Sequence, residues 1–446
     1  MKNDYRQKLH LEPEKGWLND PNGLCFFNGE YHVYFQYSPD SPEGSGRKCW
    51  GHWCSPDLLK WRFTGTVLCP DTPEDRSGVY SGCGFVKDDT LYLFYTGNVK
   101  EEGDHDYIAS GRGANVILVT TKNGHDMSPK KVLLRNADYP DYCSCHVRDP
   151  KVWEEKGRYH MVLGARTLDN KGCVLRYISD DLLNWKYDST IWGSDGSYMW
   201  ECPDEFTLGG HRFLSVSPQG VPHEKYRFQN VYSSGYFGLD NGVPENYREW
   251  DKGFDFYAPQ TFDAPDGRKI LIGWEGIGDI PYSNPTTALG WQHCMTLPRA
   301  LTLNEKENIC QTPVKELEKL RRSRKEISSG ETAAVNLPFD LTGRNEENYS
   351  IEIAGVLKLA YSGEEFMLEF TDESAGGGRT ARYAKLPGCA DIRVIADTSS
   401  VEIYLNGGET VLSSRMYPPD TEVVLKPDGI SVTLYELDGI EVISDE

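Results

Sequence analysis

Apolar residues along this chain come in short bursts, each opened by a turn. Asn28-Gly29 precedes Tyr31-His32-Val33-Tyr34-Phe35, and Asp88-Asp89 precedes Leu91-Tyr92-Leu93-Phe94-Tyr95. Lys156-Gly157 precedes Tyr159-His160-Met161-Val162-Leu163, and Gly209-Gly210 precedes Phe213-Leu214-Ser215-Val216. Asp266-Gly267 precedes Ile270-Leu271-Ile272-Gly273-Trp274. Short apolar runs behind Gly, Asp and Asn turns predict strands. The turn positions 29, 88, 157, 210 and 267 lie 59, 69, 53 and 57 residues apart. That period suits one four-stranded sheet with its loops, so five copies predict a five-bladed β-propeller. A second echo agrees: Ser55-Pro56-Asp57-Leu58-Leu59-Lys60-Trp61 resembles Ser179-Asp180-Asp181-Leu182-Leu183-Asn184-Trp185. The polar stretch Lys100–Asn115 reads as a loop over a blade edge.

Near residue 312 the pattern changes. Thr312-Pro313-Val314-Lys315-Glu316-Leu317-Glu318-Lys319-Leu320 predicts a short linker helix, with Thr312 as N-cap and Pro313 at the first helical position. The basic run Arg321-Arg322-Ser323-Arg324-Lys325 reads as a solvated surface. Alternating strands follow, such as Ser350-Ile351-Glu352-Ile353 and Val401-Glu402-Ile403-Tyr404-Leu405, with turns at Asn406-Gly407-Gly408 and Pro427-Asp428-Gly429. They predict a β-sandwich. The expected division is a propeller over 1–311, a linker over 312–329 and a sandwich over 330–446, an all-β chain throughout.

Composition narrows the function. Among 446 residues, 26 Tyr and 11 Trp give an aromatic surplus that suits strand interiors and the apolar faces of sugars. A net charge of −21 argues against nucleic acid or an anionic membrane as partner. The N-terminus has no apolar leader, and no run of about 18 apolar residues occurs. The twelve cysteines form no Cys-x-x-Cys pair. Together these predict reduced thiols in a cytoplasmic protein. His52 and His146 are isolated from ligand-spaced partners, so no metal is expected. There is no phosphate loop or dinucleotide fingerprint, and Ser81 lacks a nucleophile-elbow setting. No cofactor is expected.

Three acids keep register with the repeat. Asp20 lies 9 residues before Gly29, Asp149 lies 8 before Gly157, and Glu201 lies 9 before Gly210. Equivalent positions of different blades ring the propeller axis, so the three converge on one pocket. The fifth unit adds Tyr257 and Trp274, and the second adds Tyr80 and Ser81, as its walls. Each acid has a bland reading as well: Asn19-Asp20-Pro21-Asn22-Gly23 has good turn composition, Arg148-Asp149 resembles a surface ion pair, and Glu201 resembles a strand-end glutamate. In the chemical reading, Asp20 stays ionised among amide donors and attacks an anomeric carbon. Glu201, behind Tyr198-Met199-Trp200, has its pKa raised and donates a proton. Asp149, beside Arg148, has its pKa lowered and holds sugar hydroxyls.

The Asn19-Asp20-Pro21-Asn22-Gly23, Arg148-Asp149-Pro150 and Glu201-Cys202 boxes, in this order, resemble those of glycoside hydrolase family 32, the invertase-like β-fructosidases. Further similar segments are Trp50-Gly51-His52-Trp53, Tyr95-Thr96-Gly97, Tyr257-Ala258-Pro259-Gln260, Leu297-Pro298-Arg299 and, near the C-terminus, Ser413-Ser414-Arg415-Met416-Tyr417-Pro418. The resemblance implies a propeller plus sandwich. It makes Asp20 the nucleophile, Glu201 the acid/base and Asp149 the transition-state stabiliser. It places Asn19, Gln36, Trp53, Ser81 and Arg148 around a fructose subsite and Cys202 as a modulator of the acid. The implied reaction is retaining hydrolysis of a terminal β-D-fructofuranosyl bond through a covalent fructosyl–enzyme, with carboxyls about 5–5.5 Å apart. The implied partner is a small sugar: sucrose, sucrose 6-phosphate or short fructo-oligosaccharides. Fructan exohydrolysis on inulin or levan, fructosyl transfer and a non-catalytic carbohydrate-binding propeller are the alternatives. A monomer and a homodimer both fit.

Overall fold

The computed structural model describes residues 2–193 and 196–444. Five antiparallel sheets, each built on four core strands, follow one another along the chain, the first extended at both edges by a parallel partner. Blade one is Gly16–Phe27, Glu30–Ser38, Cys49–Ser55 and Lys60–Leu68; blade two is Gly78–Lys87, Thr90–Lys100, Arg112–Thr121 and Lys131–Leu134. Blade three is Cys143–Glu155, Arg158–Thr167, Gly172–Ser179 and Lys186–Trp192. Blade four is Met199–Leu208, His211–Gln219, Gly235–Gly238 and Glu245–Glu249; blade five is Tyr257–Asp263, Lys269–Glu275, Arg299–Leu303 and Ile309–Pro313. The first strands of the blades contact one another in order, and the fifth returns to the first. This is the expected five-bladed ring.

The turn signals fall between the first two strands of each blade. Asn28-Gly29 (φ 51° and 85°), Lys156-Gly157 (52° and 76°) and Gly209-Gly210 (60° and 90°) place two successive residues at positive φ. That is the tight hairpin turn whose twist matches the strands it joins, and it selects Asn and Gly.

A second regularity sets the site. Every first strand loses register at the same level: between Leu18 and Pro21, Val79 and Gly82, Arg148 and Lys151, Glu201 and Asp204, and Tyr257 and Gln260. A bulge frees residues from the ladder and turns their side chains. Pro21, Pro150, Pro203 and Pro259 sit in these breaks, where a missing N–H costs no sheet hydrogen bond. Asp149 (φ 64°), Cys202 (47°) and Ala258 (48°) adopt the left-handed region there.

Two six-stranded sheets form the C-terminal sandwich around one apolar core. The strand Tyr349–Ile353 alternates as expected, with Tyr349, Ile351 and Ile353 buried. Two local expectations are corrected. Pro313 ends the last blade-five strand, and the helix is a 3-10 turn over Lys315–Leu320 whose N-cap, Val314, makes no side-chain cap. Thr312 pairs with Ala300 and is thereby held in the ladder instead of capping. The polar loop is shorter than its composition implied, because a strand resumes at Arg112.

The units exchange chain ends. Residues at the N-terminus cross the sandwich: the Asn3 amide donates to Thr398 O, and Asp397 accepts from the N–H groups of Lys8 and Leu9. Glu441–Ser444 returns as a parallel fifth partner to the outer strand of blade one. Between the units, Arg299 binds Asp251 (3.2 Å) and Glu402 (2.7 Å), and Arg379 binds Asp255 (2.7 Å), all out of solvent. No helix among the described residues is long and apolar enough to cross a membrane.

Candidate active site

The bulges open into an axial cavity of about 390 Å³. Trp17, Asn19, Asp20, Gln36, Ser81, Arg148, Asp149, Glu201, Tyr257 and Trp274 line it. Thus the acids of blades one, three and four share one chamber. A second axial cavity, about 580 Å³, lies at the far ends of the same strands and contains none of the three acids.

Asp20 accepts from Ser81 Oγ, from Asn19 Nδ2 (3.2 Å) and from Gln36 Nε2 (3.4 Å). Burial nevertheless raises its pKa, with the Ser81 hydrogen bond opposing and the Glu201 charge adding to the rise. Asp149 accepts the Cys202 N–H (2.9 Å) and donates its own N–H to Thr96 Oγ1 (2.8 Å). Its carboxyl is pushed up to about 7, chiefly by burial, with Arg148 opposing. This reverses the expectation of a depressed Asp149. The cause is geometric: Arg148 Nε is 4.0 Å from Asp149 but turns its guanidinium to Glu201 Oε1, with Nε at 3.0 Å and Nη2 at 2.5 Å.

Glu201 is not held in the apolar surround that its aromatic neighbours implied. Besides Arg148, its Oε2 accepts from Tyr257 OH (2.6 Å) and Gln219 Nε2 (2.7 Å). Cys202 lies beneath the acids, with Sγ 3.7 Å from both Asp20 Oδ2 and Asp149 Oδ2. Burial beside these carboxyls raises its thiol pKa far above the ordinary value, so it stands as a neutral thiol. Trp53 is elsewhere. It stacks on Phe35 at 4.0 Å inside blade one, 1% exposed, and does not border the chamber. Trp17 forms a wall instead, edge-on to Trp274 (5.9 Å), and its indole N–H donates to Asn19 (3.0 Å).

Further lining residues were not assigned to the site from sequence, among them Gln219, Lys48, Arg112 and His146. Gln219 ends the second strand of blade four opposite Met199, as Gln36 lies near the end of the second strand of blade one. That repeat position is the signal which locates it. Lys48 and Arg112 come from loop and strand-start positions with no such mark. His146 meets Arg148 Nη1 (2.7 Å), and its pKa is lowered to about 3 by burial and by Arg148.

One other cluster, outside the chamber, has metal-like composition: His10, Glu275 and Glu402, all buried. His10 also contacts Asp397 (2.9 Å), and its pKa rises to about 10 because these carboxylates outweigh its burial. The cluster is an ion network between the units.

A chamber with three carboxyls, a guanidinium and an indole wall is equipped for glycosidic bond cleavage. Comparison with known proteins agrees. Residues 10–313 match the glycosyl hydrolases family 32 N-terminal domain, and residues 316–440 match the glycosyl hydrolases family 32 C-terminal domain. The chain is 40% identical over 440 residues to the sucrose-6-phosphate hydrolase of Bacillus subtilis (strain 168), covering 93% of this chain and 89% of that one. Its fold superposes on a sucrose-6-phosphate hydrolase from Lactobacillus gasseri with a TM-score of 0.86 at 25% identity, covering 98% and 94% of the two chains. It superposes on the Bombyx mori β-fructofuranosidase with a TM-score of 0.84 at 29% identity, covering 98% and 95%. Across both units, therefore, the chain belongs to glycosyl hydrolase family 32.

Proposed function

We propose that the protein is a retaining β-fructofuranosidase that cleaves sucrose 6-phosphate, with sucrose as the poorer substrate. The carrying observation is the set of three carboxyls on bulges of blades one, three and four around one chamber. Asp20 attacks the anomeric carbon while Glu201 protonates the glycosidic oxygen. Glu201 then takes a proton from water, which releases fructose from Asp20 with retention. Asp149 accepts hydrogen bonds from fructosyl hydroxyls and faces the positive charge that develops on the ring. The propeller, 1–311, holds this chemistry, and the sandwich, 330–446, braces it.

The phosphate reading rests on two cations of the chamber. In a chain of net charge −21, neither Lys48 nor Arg112 has a carboxylate partner among the described residues. Lys48 Nζ donates to Gly44 O, and Arg112 Nη1 to Asn98 Oδ1 (3.2 Å), while the buried Arg112 Nε has no acceptor. The pKa of Arg112 is lowered by burial and then by Arg148; that of Lys48 is lowered by burial and then by Lys100. Two partly desolvated, uncompensated cations facing one chamber fit an anionic leaving group. The relatives named above support the same substrate pair. All twelve cysteines stand as thiols, which accords with action in a reducing cytoplasm.

The test is reducing-sugar release from sucrose 6-phosphate, sucrose, kestose, inulin and levan in parallel. Sucrose 6-phosphate should give the highest kcat/KM. Asp20→Asn should lower hydrolysis of every substrate by about 10³-fold or more while sugar binding persists. Lys48→Met with Arg112→Met should lower kcat/KM for the phosphorylated sugar at least about tenfold and spare sucrose. Equal losses on both sugars would remove the phosphate assignment, and release from kestose or inulin alone would make the protein a fructan exohydrolase.

A further inference from the structure

Glu201 has to exist in two states, protonated to cleave the bond and ionised to activate water. Its surroundings suit only the second. All its contacts in the structure are from donors: Arg148 through Nε and Nη2 on Oε1, Tyr257 OH and Gln219 Nε2 on Oε2. Until the glycosidic oxygen is in place to take it, the hydrogen of a protonated carboxyl needs an acceptor among these neighbours. Arg148 has none to offer. Tyr257 can accept only by turning its own hydrogen elsewhere, and its alternative acceptor, Ser217 O, is 3.4 Å away. Gln219 differs from both. A half-turn of its terminal amide exchanges the N–H that donates to Oε2 for a carbonyl oxygen that accepts from it, with no movement of the backbone.

We propose that Gln219 is the positioning residue that lets Glu201 change protonation state, its amide reversing as the proton arrives and leaves. This rests on the reading of Glu201 as proton donor. The residue is placed for it: Gln219 closes the second strand of blade four, its backbone pairs with Met199, and its carbonyl also accepts the Tyr198 N–H. The side chain is therefore aimed at Glu201 from the neighbouring strand of the same blade. Gly220 follows at φ 84°, with Tyr198 packed where a Cβ would stand, so the strand end has little freedom to shift. The proton itself goes from Glu201 to the glycosidic oxygen as the bond to the fructosyl carbon breaks. It returns to Glu201 from water as the Asp20 ester is hydrolysed. Gln219 gains and loses nothing but hydrogen-bond direction.

Two substrates and three variants test this. β-Fructosyl fluoride has a leaving group that needs no proton, so it reports the first step without the acid. Gln219→Leu should lower kcat/KM for sucrose and sucrose 6-phosphate about tenfold or more, leave KM within about twofold and leave the fluoride within about twofold. Gln219→Glu carries a group which, when protonated, both donates and accepts. It should recover most of the loss below about pH 5 and lose it again as the new carboxyl ionises, giving a pH limb absent from the wild type. Thermal melts establish that both variants are folded. Equal losses on sugar and fluoride, a change in KM alone, or a Gln219→Glu profile that tracks the wild type would overturn the proposal. Glu201→Gln separates the two levels: it should lose the sugars but keep kcat/KM for the fluoride, with kcat falling because no base is left to release the Asp20 ester. Full activity on sugars in that variant would overturn the donor role itself, whereas failure of the Gln219 arms alone leaves that role standing.

Discussion

At the scale of single residues, neighbours in sequence are poor guides to neighbours in charge. Arg148 adjoins Asp149 in the chain, yet its guanidinium serves Glu201 from the next blade. Asp149 is left to burial, which holds its carboxyl at about 7. The folded protein thus binds this proton more tightly than the unfolded chain does. Stability falls as pH rises from the ordinary carboxyl value near 4 through about 7. Asp149→Asn should melt above the wild type at pH 8, with the difference gone near pH 4, although activity is lost. Scanning calorimetry at the two pH values checks it; a constant difference would place the effect elsewhere than in titration. Trp53 teaches a related lesson. A tryptophan in a motif reads as a sugar platform, but alternation along Cys49–Ser55 gives no sign of which face meets the chamber, since the whole strand is buried.

At the scale of elements, the acids and blades were legible because turn chemistry and strand period both leave local marks. Turn dipeptides of Asn, Asp, Lys and Gly, with at least one residue at positive φ, announce each first hairpin, and the near-constant offset of the acids follows from a constant bulge level. The bulges themselves were not legible as bulges. Asp-Pro, Cys-Pro and Ala-Pro look like ordinary turn dipeptides until a ladder is present for them to break. Gln219 escaped for the same reason, since its partner lies across a strand pair. The bulges also depend on close approach. A Cβ on Gly82 would lie 1.9 Å from Phe94 O on the adjacent strand. Gly82→Ala should therefore displace Ser81, which donates to Asp20. We expect a loss of roughly 1–3 kcal/mol in stability and a fall in kcat larger than the change in KM. Denaturant unfolding and steady-state kinetics on one preparation decide it; a stable variant with normal kcat would show that the strands can part without cost.

At the scale of the whole molecule, buried charge joins the two units alongside apolar contact. Arg299 lies in blade five, and its guanidinium reaches Glu402 and Ser413 of the sandwich and Asp251 of the propeller. None of the three charged groups meets water. Arg299→Met should cost about 3–5 kcal/mol, because Asp251 stays buried without a cation and Glu402 keeps only His10. If unfolding is followed by tryptophan fluorescence and by differential calorimetry, one cooperative transition should become two as the units uncouple. A single unshifted transition would mean that the apolar contacts suffice. No sequence motif announces this junction, because its partners are far apart in the chain, 48 residues for Arg299 and Asp251 and 103 for Arg299 and Glu402, and each looks like an ordinary surface charge.

The crossed chain ends carry a consequence for how the molecule is made. The N-terminal residues leave the ribosome first, but their hydrogen-bond partners, Asp397, Thr398 and Pro419, are among the last to emerge. Blade one likewise waits for Glu441–Ser444 to cover its outer edge. Vectorial synthesis therefore cannot finish either unit in turn. The first blade therefore keeps an uncovered outer strand until Glu441–Ser444 has been made, long after its own four strands.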